Sequence, residues 1–323
     1  MRSDAISRRS ILAAAGWMRC ALLALLVASS VTPALAQGQL DAVTDEAMAI
    51  VKSGGRPLMV YQFRENPAKP YLAQLCSPAG VNVLRDSPAD HKHHHGLMFA
   101  LAVDGVDFWS ENPNCGKQLH RGGREPEILQ REDTRWAVGQ QEIDWVGPGD
   151  EKLLLRELRQ IGVGQAPKSR ATVLTWHTRL EPPEKKSVTL TGSPYFGIGM
   201  RFVQSMDSGG QLFNADGKTA VEGTNDARSA WCAYSASAEG KPVTVAMFDY
   251  PTNPRHPATW FTMDKGFAYV SATLNLAKEP LVIEAGKPLK LRYAVAVWDG
   301  KPDKAAIDAL YRWLCSPQGP GSE

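Results

Sequence analysis

Seven consecutive residues, Asp90-His91-Lys92-His93-His94-His95-Gly96, hold four of the seven histidines in the chain. They run directly into the apolar stretch Leu97-Met98-Phe99-Ala100. Imidazoles packed this densely beside apolar sequence are costly to desolvate unless they are paired or used. If the backbone is already extended there, His91, His93 and His95 project to one side and His94 to the other. A His-x-His pair on one face suits a divalent metal, which makes His91 and His93 candidate ligands. As uncoordinated rings, His91, His93 and His94 are candidate general acids and bases. A solvated polar loop is the competing reading.

Three further groups extend the candidate site. Asp104-Gly105 suits a tight hairpin turn, and the turn would bring Trp109 and Glu111 back towards the histidines. A Trp face beside a carboxylate fits a sugar, whose C–H face stacks while its hydroxyls take the polar groups. Arg228, in Asn225-Asp226-Ala227-Arg228, offers a planar fork for a carboxylate or a hydroxyl pair. Further on, Pro251, Pro254 and Pro257 stiffen a segment that carries Asp249, Arg255, His256 and Trp260. A stiff loop holds such groups at low entropic cost. Glu111, Asp249 and His256 therefore join the catalytic candidates, and Trp109, Arg228, Arg255 and Trp260 the substrate contacts. Core tryptophans, a surface carboxylate and plain loops are the competing roles. The chain has no phosphate loop, no Gly-x-Ser-x-Gly elbow and no His-Glu-x-x-His helix.

The elements that must position these groups read mainly as strands. Residues 58–63, 97–103, 171–180, 196–203, 243–250, 267–273 and 289–298 are β-branched or aromatic runs between Gly, Pro, Asn and Asp clusters. Within 171–180 the alternation predicts a strand with one buried face. Residues 41–52 read as a short helix. Pro302-Asp303 predicts a helix start, with Ile307, Leu310, Tyr311 and Leu314 on one apolar face packed against the outside of a sheet. The expected fold is mainly β: one large antiparallel β-sandwich with a C-terminal helix. Two half-size β domains are the alternative. With 323 residues, 43% of them hydrophobic, the composition is globular and excludes collagen-like, coiled-coil and disordered classes. A formal charge of +2 gives no field that argues for nucleic acid or an anionic membrane.

The N-terminus reads as a targeting segment. Arg8 and Arg9 precede an apolar run over residues 21–31, and Ala34-Leu35-Ala36 supplies a cleavage site. Residues 1–36 are expected to be a signal peptide, of a type similar to the twin-arginine signal, with a membrane anchor as the competing reading. Residues 37–323 are then a single β-sandwich domain, periplasmic or secreted, with no stable membrane insertion after cleavage. Cys76, Cys115, Cys232 and Cys315 remain, which allows two disulfides in any of three pairings or four buried thiols.

Taken in order, these motifs resemble the soluble exported members of the bacterial PmoA family. The motifs are His91-Lys92-His93-His94-His95-Gly96-Leu97, Asp104-Gly105-Val106-Asp107-Phe108-Trp109 and Asn253-Pro254-Arg255-His256-Pro257, with Trp260 following. Two positions depart from that pattern. His95 stands where the family has Arg, and Phe261-Thr262-Met263 replaces a continuation in His, Arg and Tyr-Gly. The resemblance implies a β-sandwich of the sugar-mutarotase kind and a setting among sugar oxidoreductases and polysaccharide-degrading enzymes. The leading expectation is an exported carbohydrate-active enzyme, a hydrolase or lyase on a glycoside or keto-sugar. A carbohydrate-binding module and an exported metal-binding protein are the alternatives. All three motifs are expected to line one cavity.

Overall fold

In this computed structural model, residues 38–64, 68–131, 134–166, 168–183 and 186–320 are described. Asp45 accepts hydrogen bonds from the backbone of Ala47 and Met48, each at 2.8 Å. This local bonding makes a turn, and the chain on either side forms the antiparallel strands Leu40–Thr44 and Met48–Ser53. The helix expected over residues 41–52 is therefore corrected to a hairpin. An Asp that bonds its own following backbone favours turns over helix interiors, and Val43, Ile50 and Val51 are β-branched.

The hairpin opens a front sheet of eight strands. Their spatial order is Leu40–Thr44, Met48–Ser53, Arg56–Gln62, Tyr71–Leu75, Leu97–Ala100, Gly197–Arg201, Tyr269–Thr273 and Thr259–Met263. A back sheet, also of eight, runs Gln211–Asn214, Trp231–Ala238, Lys241–Asp249, Leu289–Asp299, Ala171–Glu181, Leu153–Ala166, Thr134–Val146 and Lys117–Arg131. The pairings within both sheets are antiparallel. A small third sheet holds the hairpin Ala102–Val103 and Val106–Asp107, turned at Asp104 (φ 48°) and Gly105 (φ 84°). The two large sheets share one core, with Val51, Leu72 and Phe99 from the front against Trp145, Trp176 and Leu291 from the back. This is a large antiparallel β-sandwich, as expected. The residues after Ala36 group as one unit.

The C-terminal helix, Lys304–Leu314, begins one residue later than expected. Asp303 is its N-cap and accepts from Ala306 N at 2.7 Å, so Pro302 lies before the first turn. Ile307, Leu310 and Leu314 pack on the outer face of the back sheet, against Val173, Ala296 and Trp298. That cover changes the expected pattern in Ala171–Glu181. Its first half is buried on both faces, and alternation begins only beyond the helix.

The back strands Lys117–Arg131, Thr134–Val146 and Leu153–Ala166 were not legible as strands. One reason is that Leu153–Ala166 turns two charges inward. Arg159, fully buried, donates to both oxygens of Glu157 at 2.7 and 2.8 Å, to Tyr61 Oη and Pro70 O at 3.0 Å, and to Gln118 at 3.1 Å. Glu157 also accepts from Trp145 and Thr178, each at 2.8 Å. A buried ion pair with its remaining sites satisfied is tolerable in a core, but it breaks the apolar alternation that marks a strand in sequence.

Cys76, Cys115, Cys232 and Cys315 are all free thiols, so neither of the two allowed disulfides is present. Among the described residues no helix is long and apolar enough to cross a membrane. The expected signal peptide lies outside the described residues.

Candidate functional site

The histidine segment is not extended. His91 N bonds Pro88 O, and His94 N bonds His91 O, each at 2.9 Å, which makes two successive turns. His91 and His94 are therefore brought together instead of alternating. Their rings stack at 4.6 Å with 24° between planes, and His93 meets His94 edge-on at 4.7 Å. The loop re-enters the front sheet through Gly96 (φ 27°), where any Cβ would overlap the Leu72 carbonyl.

His95 anchors the loop. Its Nδ1 lies 2.6 Å from Asp86 and its Nε2 2.9 Å from Glu111. Burial alone would lower its pKa, but these two carboxylate bonds outweigh it and hold the pKa above the ordinary value. The ring is thus a cation that donates from both nitrogens. Glu111 also accepts from Lys69 Nζ at 2.6 Å, and Lys69 donates to Trp109 O at 2.9 Å. Burial opposes ionisation of Glu111, yet His95 and Lys69 together pull its pKa down to about 2. Glu111 is a fixed anion, not a proton donor at neutral pH. It also lines an open cavity of about 530 Å³ with Asn112, Cys115 and Lys117.

Under the loop sits a group of buried polar side chains. His94 is 7% exposed, Trp109 1%, Tyr269 2% and Arg201 1%. The His94 ring is 6.3 Å from Trp109 and 5.5 Å from Tyr269, and Trp109 is 6.2 Å from Tyr269. Gly199 makes room for the Tyr269 ring, since a Cβ there would overlap its hydroxyl. The Arg201 guanidinium lies 3.7 Å over the Phe267 ring, which in turn is 5.6 Å from His94. Arg201 donates to Asp90 at 3.2 Å. His94 Nδ1, Trp109 Nε1, Tyr269 Oη, Arg201 Nε and Arg201 Nη1 are buried with no hydrogen-bond partner among the described residues. Burial, reinforced by His93 and His91, drives the His94 pKa down to about 3. Burial and then Lys69 lower that of His93. Both are uncharged at neutral pH. Asp90, held by His91 and Arg201, is lowered to about 2.

The second group forms around the proline-braced loop. Asp249 lies 2.7 Å from His256 Nδ1, and it accepts from Asn253 Nδ2 at 2.7 Å and Ala258 N at 2.8 Å. Burial raises the Asp249 pKa against these bonds. Arg228 and Arg255 are not free to orient a sugar. Arg228 donates to the carbonyls of Pro257, Arg255 and His256. Arg255 donates to those of Leu274, Glu279 and Pro280. They brace backbone that would otherwise lack partners.

The two groups do not share a cavity. In the front sheet Arg201 pairs with Tyr269 and Tyr269 with Met263, while Gly197 pairs with Thr273 and Thr273 with Thr259. The histidine loop enters at Leu97, next to Met200, and the loop 253–257 enters at Thr259. They lie at opposite ends of the strands, ~10 Å apart along them and three strands apart across. The structure joins His91, His93, His94, Glu111 and Trp109 in one group. Asp249, His256, Arg228 and Arg255 form the other.

Neither tryptophan is a stacking platform. Trp109 is stacked on Phe196 at 5.2 Å. Trp260 is 1% exposed and donates to Ser229 O at 2.8 Å. The core role applies to both. The expected metal pair has no third ligand beside it among the described residues. The His91 and His93 rings sit 5.9 Å apart at 62°, and His91 Nδ1 is engaged by Asp90 at 2.9 Å. Among the described residues no three His, Cys, Asp or Glu side chains are grouped to hold an ion. Lys69, Asp86, Arg201 and Tyr269 escaped the sequence reading. Arg201 alone left a signal, as a charge inside the apolar run Ile198-Gly199-Met200-Arg201-Phe202.

Residues 49–312 match a family described as a family of unknown function (DUF6807). No curated protein matches the chain. Among solved structures, it is similar to the GH36 alpha-galactosidase AgaB of Geobacillus stearothermophilus, at 12% identity and TM-score 0.48, over 80% of this chain and 41% of that one. The alpha-galactosidase of Lactobacillus brevis gives 6% identity and TM-score 0.44, over 81% and 40%. A galactose mutarotase-like protein of Clostridium acetobutylicum gives 8% and 0.38, over 81% and 99%. The chain thus spans about two fifths of the length of the galactosidases it matches.

Proposed function

The chain belongs to that family of unknown function (DUF6807), and from this premise we propose that it is an exported carbohydrate-active enzyme working by proton transfer at His93, with His94 among the groups that hold the substrate. The observation that carries the proposal is the set of buried, partnerless polar atoms on His94, Trp109, Tyr269 and Arg201. Native proteins leave few such atoms, because each costs the desolvation of a polar group. A ligand rich in oxygen acceptors, such as a sugar, satisfies them. His93, half-buried and uncharged, sits at the surface of this set as the base.

Between hydrolase and lyase, the charges favour lyase. Two-carboxylate glycoside hydrolysis needs one carboxyl that stays protonated. Glu111 and Asp90 are both lowered to about 2, so both are ionised at neutral pH. An uncharged imidazole beside the Arg201 guanidinium, whose Nε and Nη1 lack partners among the described residues, suits a different step. His93 removes a proton from the carbon beside a carbonyl, and the guanidinium stabilises the charge that builds on its oxygen. The electron pair then forms a C=C bond and expels the β-linked oxygen, which takes a proton from solvent. A keto-sugar or a uronate glycoside offers that carbon. The resemblance to the exported PmoA family belongs to the same proposal, as does a periplasmic or secreted location.

The test is turnover of oxidised glycosides, followed by the absorbance of the new C=C bond. We expect His93→Ala to lower kcat by at least a hundredfold with an unchanged melting temperature. Equal turnover by wild type and His93→Ala overturns the proposal. The binding-module reading is weakened by the burial of Trp109 and Trp260, neither of which serves as a stacking platform.

A further inference from the structure

The outer face of the back sheet changes character halfway along its strands. In Ala171–Glu181, Ala171 and Val173 lie under the C-terminal helix, whereas His177 and Arg179 lie beyond it. In the neighbouring strand Leu289–Asp299, Ala294, Ala296 and Trp298 are covered, and Lys290 and Arg292 are not. The helix therefore covers one half of this face and leaves a polar half.

Across the polar half one row runs in direct register over five strands. Arg124 is opposite Gln140, Gln140 opposite Gln160, Gln160 opposite His177, and His177 opposite Arg292. Residues directly opposite in a sheet share a face. Four strand spacings of about 4.8 Å make the row roughly 19 Å long. Two shallow cavities, each about 100 Å³, lie along it and share Gln140 and Gln160, so they form one groove.

The two ends of the groove differ in charge. Among the described residues, one cavity is lined by Arg179, Lys290 and Arg292 and by no carboxylate, and Glu181 beyond its rim pairs with Arg179. The other is lined by Arg124 with Glu125 and Glu127. Arg124 donates to Gln140 Oε1 at 3.1 and 2.8 Å, which orients that amide. The loop 253–257 closes the cationic end. Asn253 accepts from Arg292 N at 2.7 Å and donates to Arg292 O at 2.6 Å.

We propose that this groove binds an extended oligosaccharide whose sugars carry carboxylates. The carboxylates sit on Arg179, Lys290 and Arg292, and the amides of Gln140 and Gln160 take hydroxyls. A ligand of one sugar would leave most of the row unused. Leu158 and Leu291 in one cavity and Leu129 and Val138 in the other give an apolar floor for sugar C–H faces, while the charges and amides of the row take the polar groups. The proposal goes beyond the histidine site, since it concerns a separate surface on the other sheet and requires binding alone.

The experiment is affinity electrophoresis in gels containing polygalacturonate, alginate or hyaluronan, with neutral dextran as control. We expect retardation of the wild type by at least one acid polymer and none by dextran. The double variant Arg179→Gln/Lys290→Gln should bind at least tenfold more weakly with an unchanged melting temperature. His93→Ala should bind as the wild type does. Binding by the double variant equal to wild type overturns the proposal, as does retardation by dextran alone or by none of the acid polymers. Retained binding by a wild type that turns over no sugar counts against the histidine-site activity and leaves the groove standing.

Discussion

At the scale of single residues, His95 shows how one side chain can replace another of different shape. An imidazolium bridging Asp86 and Glu111 does what a two-pronged guanidinium does, supplying two donors in a fixed geometry to two carboxylates. We expect His95→Arg to keep the fold and most of the activity. His95→Ala leaves Asp86 without its cation and Glu111 with Lys69 alone, and we expect it to cost about 1–3 kcal/mol in denaturant unfolding. The sign of the pH effect follows from the raised pKa. A group protonated more strongly in the fold stabilises it fully below its unfolded pKa, and that contribution is lost as pH rises through the folded value. Melting curves from pH 6.5 upwards should therefore show wild type losing ground to His95→Arg. A constant difference between the two would show that His95 is uncharged in the fold.

At the scale of elements, the buried Glu157–Arg159 pair ties both sheets to the site. Arg159 holds Pro70 O, next to Lys69, and Lys69 holds Glu111. Removing one partner leaves an uncompensated charge in the core, so Glu157→Ala should destabilise by about 3–5 kcal/mol, measured by urea unfolding. Replacing both residues with apolar ones of similar volume should cost far less. The loop 253–257 makes the opposite case, since Arg228 bonds three of its carbonyls from a partly exposed position. Arg228→Ala should cost about 1 kcal/mol and leave turnover at His93 unchanged. A loss of activity in Arg228→Ala would reconnect the two groups that the strand register separates.

At the scale of the whole molecule, the acid limb of stability should be steep. His94 is held near pKa 3 in the fold against an ordinary 6.5. Between those values the unfolded chain binds the proton and the folded chain does not, so stability falls as pH drops below about 6.5. Glu111 and Asp90 add to the loss as pH falls through their ordinary values towards 2. His94→Gln should flatten the slope between pH 6.5 and 3 by up to about 1.4 kcal/mol per pH unit. An unchanged slope would place the buried proton site elsewhere. Many of the strands, the Asp104-Gly105 hairpin and the C-terminal helix were legible in the sequence by itself, though not the first hairpin, because burial on one face and turn chemistry act between near neighbours in the chain. The long back strands were not, because Glu157 and Arg159 point inward and are compensated only by residues as distant as Tyr61 and Gln118. Composition likewise marked the histidine segment as the place to look. Which way those rings face, that Lys69 and Arg201 join them, and that the proline-braced loop lies at the other end of the sheet were decided by tertiary structure alone. Strand register and burial bring together residues far apart in the chain, and no local pattern encodes which ones meet.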